Sequence, residues 1–199
     1  TEENDFMVLE GDEYLSSPID RRPKFHLYQP NIALISGIAW DHINVFPTYE
    51  NYVNQFEIFI DKITNGGILV YNAEDSEVKR VAEAATNPIR KMAYTTPNYE
   101  VKHGVTLLET PEGPMPIEVF GAHNLNNLAG AKWICQNMGV DEADFYEAIA
   151  SFKGASKRLE KIAEGKGKVA YKDFAHSPSK VAATTKAVKE QYPDRTLVA

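Results

Sequence analysis

The chain has 199 residues, of which 43% are hydrophobic and 25% charged, as expected for a globular protein with a sizeable core. Its formal net charge of −7 argues against nonspecific nucleic-acid binding, because such binding depends on Lys and Arg side chains that neutralise phosphates. The single cysteine excludes an internal disulfide and favours a cytoplasmic protein, and no apolar run reaches the roughly 20 residues of a membrane span.

The first half of the chain alternates predicted strands and helices. A helix with apolar residues at helical spacing follows Pro47, and a second amphipathic helix covers residues 74–85. Strands are predicted from apolar runs at residues 6–10 (FMVLE), 31–38 (NIALISGI), 67–72 (GILVYN) and 90–96 (RKMAYTT). This order predicts an α/β fold with a mostly parallel sheet.

The second half has a different pattern. Residues 104–121 contain two extended runs about a PEGP turn, which predicts a β-hairpin, and helices are predicted at residues 122–140 and 141–154. A second hairpin, a helix after Ser177 and a strand at 195–199 (RTLVA) follow. The basic, turn-like stretch after Gly154 suggests a domain boundary near Ala155, with one domain at 1–154 and another beginning at 155–199.

Acidic residues and a histidine follow two of the predicted strands. Glu10 ends the first strand, and Asp41 and His42 follow the second. Because ligands of parallel α/β sheets gather at the carboxyl ends of strands, these side chains could bind Mg²⁺ or Mn²⁺ together. A structural histidine and a solvated acidic loop are the alternatives.

Three further stretches contain polar residues with two interpretations each. Asn124 and Asn127 share a helix face and either cap the helix or bind a nucleotide. Arg158 is either a surface charge or a clamp for phosphate oxygens. Asp173 and His176 lie between a strand and a helix start, where a capped turn or a site for a ribose or an anionic group is expected.

Several common catalytic motifs are missing from the sequence. The segment EGKGK lacks the spacing of a phosphate-binding P-loop and is predicted to be a hairpin turn. A serine-hydrolase elbow and a cysteine-rich metal site are also missing.

Five strings, in this order, resemble the Mur ligase family of ATP-dependent enzymes. They are LEGDEY, NIALISGIAWDHINVF, GAHNLNNLAGA, SFKGASKRLE and DFAHSPSK, and they extend over nearly the whole chain. The resemblance implies the later part of a P-loop-type central ATPase domain and the start of a Rossmann-like C-terminal domain. It places the P-loop and a UDP-binding domain upstream, so the 199-residue chain alone is expected to be inactive.

The resemblance also implies site residues. The family's metal-binding acid and histidine fall on Glu10 and His42, and its ATP-contacting asparagines fall on Asn124 and Asn127. Its ATP arginine falls on Arg158, which would also act in catalysis together with His42. The ribose-contacting acid falls on Asp173, and the turn that shapes the amine pocket falls on Phe174 and His176.

Within the family, EGDEYLSSPIDRRPKF is most similar to the murein peptide ligase branch. That branch joins L-alanyl-γ-D-glutamyl-meso-diaminopimelate to UDP-N-acetylmuramate in peptidoglycan recycling, using ATP and Mg²⁺. The alanine-adding ligases are the alternative, although they usually have DDYGHHP where this chain has Phe174 and Ser177 in KDFAHSP. A folate-type polyglutamate ligase and a noncatalytic nucleotide-binding module are further alternatives.

Overall fold

The computed structural model describes residues 5–199. The chain divides into two compact units. The first comprises Thr1–Thr95 and Trp133–Gly139, and the second comprises Thr96–Lys132 and Val140–Ala199. The predicted boundary between residues 154 and 155 lies inside the second unit and stays a prediction.

A three-stranded parallel sheet organises the first unit. Its strands β1 (Ile32–Ile35), β2 (Ile68–Asn72) and β3 (Arg90–Tyr94) lie in the order β1-β2-β3. Every residue of β2 is buried, as expected for an apolar central strand of a parallel sheet. The predicted parallel α/β arrangement is therefore confirmed.

Two capped helices connect these strands. Helix α1 (Tyr49–Asp61) begins after Thr48, whose side chain accepts a hydrogen bond from the Asn51 N–H. Helix α2 (Ser76–Ala84) begins after Asp75, which caps its first turn and also accepts a hydrogen bond from the Ile38 N–H. Asp75 thereby ties the chain beyond β1 to the start of α2.

The core of the first unit combines the apolar faces of these elements with aromatic side chains from the chain before β1. Burying this surface is the main favourable contribution to folding. The buried residues include Phe25, Ile35, Phe46, Tyr52, Phe56, Phe59, Ile60, Leu69, Val78 and Val81.

An antiparallel sheet opens the second unit. Strands β4 (Tyr99–Lys102), β5 (Val105–Thr110) and β6 (Gly113–Ile117) pair in that order, which confirms the first predicted hairpin. Strand β4 was not predicted. It joins β5 through His103 and Gly104, both at positive φ, as in the two-residue turns that favour hairpins.

The remaining elements follow the predicted order. Helix α3 (Ala122–Asn137), which belongs to the second unit up to Lys132 and to the first unit from Trp133, precedes α4 (Glu142–Ala150). The second hairpin consists of β7 (Glu160–Gly165) and β8 (Lys168–Lys172). Helix α5 (Pro178–Gln191) begins with proline at its first position, as predicted. Phe120, Leu159 and Ala187 are buried together here, with Tyr171 and Val188 packed against them.

Two predicted strands are wrong. Residues 6–10 and 195–199 are not assigned to a strand, and Met7, Val8 and Val198 are each more than 80% exposed. A strand needs a neighbouring backbone to pair its N–H and C=O groups, and neither segment joins a described ladder. An apolar run alone therefore overestimated strand formation.

Within residues 5–199, no helix has both the length and the apolar character needed to cross a bilayer.

Candidate functional site

His42 lies in a tight loop after β1. Its backbone has φ of 55°, a left-handed conformation that histidine adopts more readily than most residues. Its carbonyl accepts hydrogen bonds from the N–H groups of Val45 and Phe46, and its own N–H donates to the carboxylate of Asp41. These bonds fix the direction in which the imidazole leaves the backbone.

A carboxylate and a tyrosine lie beside the His42 ring, and a second tyrosine binds that carboxylate. The Nε2 atom of His42 lies 3.7 Å from Oε1 of Glu13, and the ring centroid lies 4.7 Å from that of Tyr14. The Tyr52 hydroxyl donates to the same Glu13 oxygen at 3.2 Å. Burial, together with the nearby Glu13 charge, raises the pKa of Tyr52, so the hydroxyl stays a donor.

Asp12 is held by hydrogen bonds from neighbouring groups of the protein. Its carboxylate accepts hydrogen bonds from the Lys24 ammonium at 2.6 Å and from the Tyr14 N–H at 2.8 Å. Burial acts to raise the pKa of Asp12, but these hydrogen bonds outweigh burial and lower it. Asp12 therefore holds the acidic segment in place beside His42.

Glu10 lies on the exposed segment that leads into this cluster. The carboxylate that faces the Nε2 atom of His42 is that of Glu13, which the motif comparison with the family did not single out. The acidic string GDEY pointed to this segment, but it did not distinguish one carboxylate from the next. Sharing of a metal ion by Glu10 and His42 stays a prediction.

The chemistry of this cluster fits a hard divalent cation with few protein ligands. The side chains of His42 and Glu13 are 35% and 25% exposed, so a cation could reach the gap between them. In the described part of the chain, no group of three or more His, Cys, Asp or Glu side chains is arranged to hold a metal ion. Mg²⁺ commonly keeps several waters and binds substrate phosphates, so two protein ligands suffice for it.

The two predicted nucleotide-binding asparagines lie at the start of α3. The side-chain amide of Asn124 donates to the Phe120 carbonyl at 2.9 Å, whereas Asn127 is exposed. Leu125 and Leu128 on the same helix are buried, so the amides lie at the margin of the core. Nearby, burial lowers the pKa of His123.

The structure brings Arg158, Asp173 and Phe174 together in the second unit. The Arg158 guanidinium carbon lies 6.0 Å from the Phe174 ring centroid, a cation–π contact. Asp173 accepts hydrogen bonds from the Leu159 and Ala175 N–H groups. The His176 ring contacts the Phe174 ring and carbonyl, and both of these side chains are exposed. An arginine and an aromatic pair are thus available to an anionic or planar ligand.

Several solved structures share the fold of this chain. The structure of MurF from Acinetobacter baumannii matches with a TM-score of 0.68 at 20% identity, covering 81% of this chain and 38% of that one. The UDP-N-acetylmuramate:L-alanyl-gamma-D-glutamyl-meso-diaminopimelate ligase from Neisseria meningitides matches with a TM-score of 0.60 at 22% identity, covering 74% of this chain and 48% of that one. At these identities the similarity establishes a shared α/β fold.

Residues 1–135 match the model of the Mur ligase middle domain, and the chain therefore belongs to the Mur ligase family. The UDP-N-acetylmuramate–L-alanine ligase of Caldicellulosiruptor bescii is 28% identical over 94% of this chain and 42% of its own length. The UDP-N-acetylmuramate–L-alanyl-gamma-D-glutamyl-meso-2,6-diaminoheptandioate ligase of Escherichia coli K12 is 29% identical over 94% of this chain and 43% of its own length. The chain thus spans less than half the length of these curated relatives.

Proposed function

We propose that the intact protein is a cytoplasmic, ATP-dependent ligase that joins a peptide, L-alanyl-γ-D-glutamyl-meso-diaminopimelate, to UDP-N-acetylmuramate in peptidoglycan recycling. The observation that carries this proposal is the match of residues 1–135 to the Mur ligase middle domain. The His42–Glu13 pair after a parallel strand supports it, because it lies where such sheets bind ligands.

In the proposed reaction, ATP phosphorylates the muramyl carboxylate and gives ADP and an acyl phosphate. The amine of the peptide then attacks the acyl carbon, and phosphate leaves through a tetrahedral intermediate. Asn124, Asn127, Arg158 and Asp173 bind or position the nucleotide, and Phe174 and His176 shape the amine pocket. The positive charge of Arg158 stabilises the transferring phosphoryl group.

Glu10 and His42 hold Mg²⁺ or Mn²⁺ in this proposal, with Glu13 as the nearest additional carboxylate. The bound cation supplies charge neutralisation for the phosphate oxygens. Residues 1–154 are assigned to the ATP-binding domain and residues 155–199 to the start of the C-terminal domain. The sequence contains no P-loop motif, so the 199-residue chain alone should show no ATP hydrolysis in a phosphate-release assay.

Two local features favour the tripeptide over L-alanine as the amine. The acidic segment continues into an extra loop that closes on itself through a Leu15–Pro23 bridge and a bond from the Ser16 N–H to the Arg22 carbonyl. The amine-side turn has Phe174 and Ser177 in place of tyrosine and histidine. L-Alanine is the second candidate, because the C. bescii alanine ligase is as similar to this chain as the E. coli tripeptide ligase.

A ligation assay on the intact protein tests this proposal. The protein is incubated with ATP, Mg²⁺, UDP-N-acetylmuramate and either L-alanine or the tripeptide, and ADP and the amide product are quantified. We expect faster amide formation with the tripeptide. Preference for L-alanine would select the second candidate, a glutamate-adding activity on folate would place the protein with the polyglutamate ligases, and ATP binding without turnover would indicate a noncatalytic module.

A further inference from the structure

The carboxyl end of α5 binds the β4–β5 hairpin through a buried polar side chain. Gln191, the last residue of α5, is 5% exposed, and Thr106 on strand β5 is fully buried. The Thr106 hydroxyl donates to Oε1 of Gln191 at 2.9 Å, and Nε2 of Gln191 donates to the Gly104 carbonyl at 2.7 Å. These bonds join parts of the second unit that are far apart in sequence, and burial of Gln191 strengthens them.

The backbone at Gly104 is fitted to this contact. Gly104 has φ of 77°, and a Cβ atom there would lie 3.3 Å from Cε1 of Tyr192, the residue that directly follows α5. A side chain at position 104 would therefore push the end of the helix away from the hairpin. Gly104 thus supplies both the acceptor for Gln191 and the room for the Tyr192 ring.

Apolar packing holds the adjoining turn of α5. Ala187 is buried together with Phe120 and Leu159, and Val188 packs against them. Burial of apolar surface is non-directional, so it tolerates small slides and rotations of a helix. Hydrogen bonds depend on both distance and angle. The two bonds of Gln191 therefore define the position of α5 along its axis and its rotation about that axis.

The other end of α5 begins at the proposed amine pocket. Phe174 and His176 come just before Ser177, the N-cap residue of α5, and their rings are in contact. A helix of 14 residues is about 20 Å long, so a tilt of about 3° about its carboxyl end moves its first residue by about 1 Å. A misplacement of about 1 Å can lower the rate of an enzyme by about a hundredfold.

We infer that Gln191 and Thr106 are positioning residues that, through α5, hold the turn of Phe174 and His176 where the incoming amine binds. The inference rests on the proposed function and extends it to a buried pair at the far end of the helix. Asp173 directly follows β8 and accepts the Leu159 N–H, so it is held from outside α5. Binding of ATP should therefore depend less on Gln191 than binding of the amine.

Steady-state kinetics of the intact ligase test this inference with paired substitutions. Thr106→Val removes the hydroxyl and keeps the shape of the side chain, whereas Thr106→Ser keeps the hydroxyl. Thr106→Val combined with Gln191→Leu makes both partners apolar. We expect the KM for the amine that the wild type ligates to rise threefold or more in Thr106→Val and in the double variant. The KM for ATP should change less, and Thr106→Ser should stay below a threefold change in either value.

The double variant separates positioning from stability. If the bonds only stabilised the fold, the apolar pair would restore both thermal stability and the KM for the amine. Positioning instead predicts a raised KM in a stably folded protein. Tyr99→Phe is the matched control, because it removes a more exposed bond, from the Tyr99 hydroxyl to Glu190, between the same hairpin and helix. It should leave both KM values unchanged.

A rise of less than threefold in the KM for the amine in the folded double variant would overturn the inference and leave the proposed function intact. A rise of the same size in the KM for ATP, or in Thr106→Ser, would do the same. Wild-type protein that forms no amide with L-alanine, the tripeptide or glutamate would overturn both. If thermal unfolding shows that Thr106→Val does not fold, the double variant decides.

Discussion

The acidic residues near His42 differ in what surrounds them. Asp12 is engaged by Lys24 and by a backbone N–H, Glu13 faces the imidazole and the Tyr52 hydroxyl, and Glu10 is exposed. Within one short segment, Asp12 thus supports the loop, whereas Glu13 faces the candidate cation site. The division follows from the hydrogen-bond donors each one meets.

Two buried tyrosines of the first unit provide a matched stability test. Tyr52 and Tyr94 are each 3% exposed, but only the Tyr52 hydroxyl has a partner among residues 5–199, namely Glu13. Tyr52→Phe should lower the free energy of unfolding by about 0.5–1.5 kcal/mol, because it removes the hydrogen bond from the buried Tyr52 hydroxyl to Glu13. Tyr94→Phe should be neutral or slightly stabilising, because it removes an unsatisfied buried hydroxyl.

Urea unfolding of the two variants beside wild type measures both values. A larger loss for Tyr94→Phe than for Tyr52→Phe would show that the Tyr94 hydroxyl has a partner and that the Tyr52–Glu13 bond contributes little.

At the scale of elements, the start of α3 depends on a close approach to α5. Gly121 directly precedes α3 and has φ of 87°, and a Cβ atom there would overlap the Ala187 Cβ and lie 3.2 Å from the His123 ring. Only glycine satisfies both the backbone conformation and the contact. The position of Asn124, one turn further on, follows from this approach.

Substitution at Gly121 should therefore be strongly destabilising. Gly121→Ala should lower the free energy of unfolding by about 2–4 kcal/mol, which combines left-handed strain with overpacking. Gly167→Ala is the control, since Gly167 has φ of 74° but nothing within 4 Å of its added Cβ, and should cost only about 1–2 kcal/mol. Equal losses for the two variants, measured by thermal unfolding, would exclude the steric contribution.

Local patterns predicted most elements, and the errors have a common physical origin. The apolar period of α1 and the apolar run of β2 are properties of neighbouring residues, and both elements formed as predicted. The strand predicted at residues 6–10 failed because pairing requires a distant backbone. Strand β4 was missed because its polar, half-exposed sequence has little apolar signature, although the positive-φ turn at His103 and Gly104 marks its end.

The sequence could indicate which segments form the candidate site, but not which carboxylate of the acidic segment faces the imidazole. Only His42 follows a strand that the structure contains, since residues 6–10 form none, yet the structure brings Glu13 of the acidic string to His42. Which carboxylate faces the ring depends on Lys24 binding Asp12, an ion pair between residues far apart in sequence. The internal bonds of Asp173 were unpredictable for the same reason, because the Leu159 and Thr184 donors come from separate elements.

For the whole molecule, two half-buried histidines predict lower stability in mild acid. Burial lowers the pKa of His26 and of His123 below the ordinary value of 6.5, so the unfolded chain takes up protons first. This contribution to stability is complete above pH 6.5 and is lost as pH falls through the two lowered pKa values. Urea unfolding at pH 7 and pH 5 should therefore show lower stability at pH 5, and NMR titration of either imidazole above 6.5 would contradict this expectation.

The central claim is that His42 and the neighbouring acidic segment bind the divalent cation of an ATP-dependent ligase. The most direct measurement is ADP release by the intact protein as a function of Mg²⁺ concentration, for wild type, His42→Ala, Glu10→Gln and Glu13→Gln, with Glu164→Gln as control. We predict that His42→Ala raises the half-saturating Mg²⁺ concentration by about tenfold or more, and that at least one of the two glutamate variants does the same. Unchanged Mg²⁺ dependence with normal turnover in all three site variants would contradict the claim.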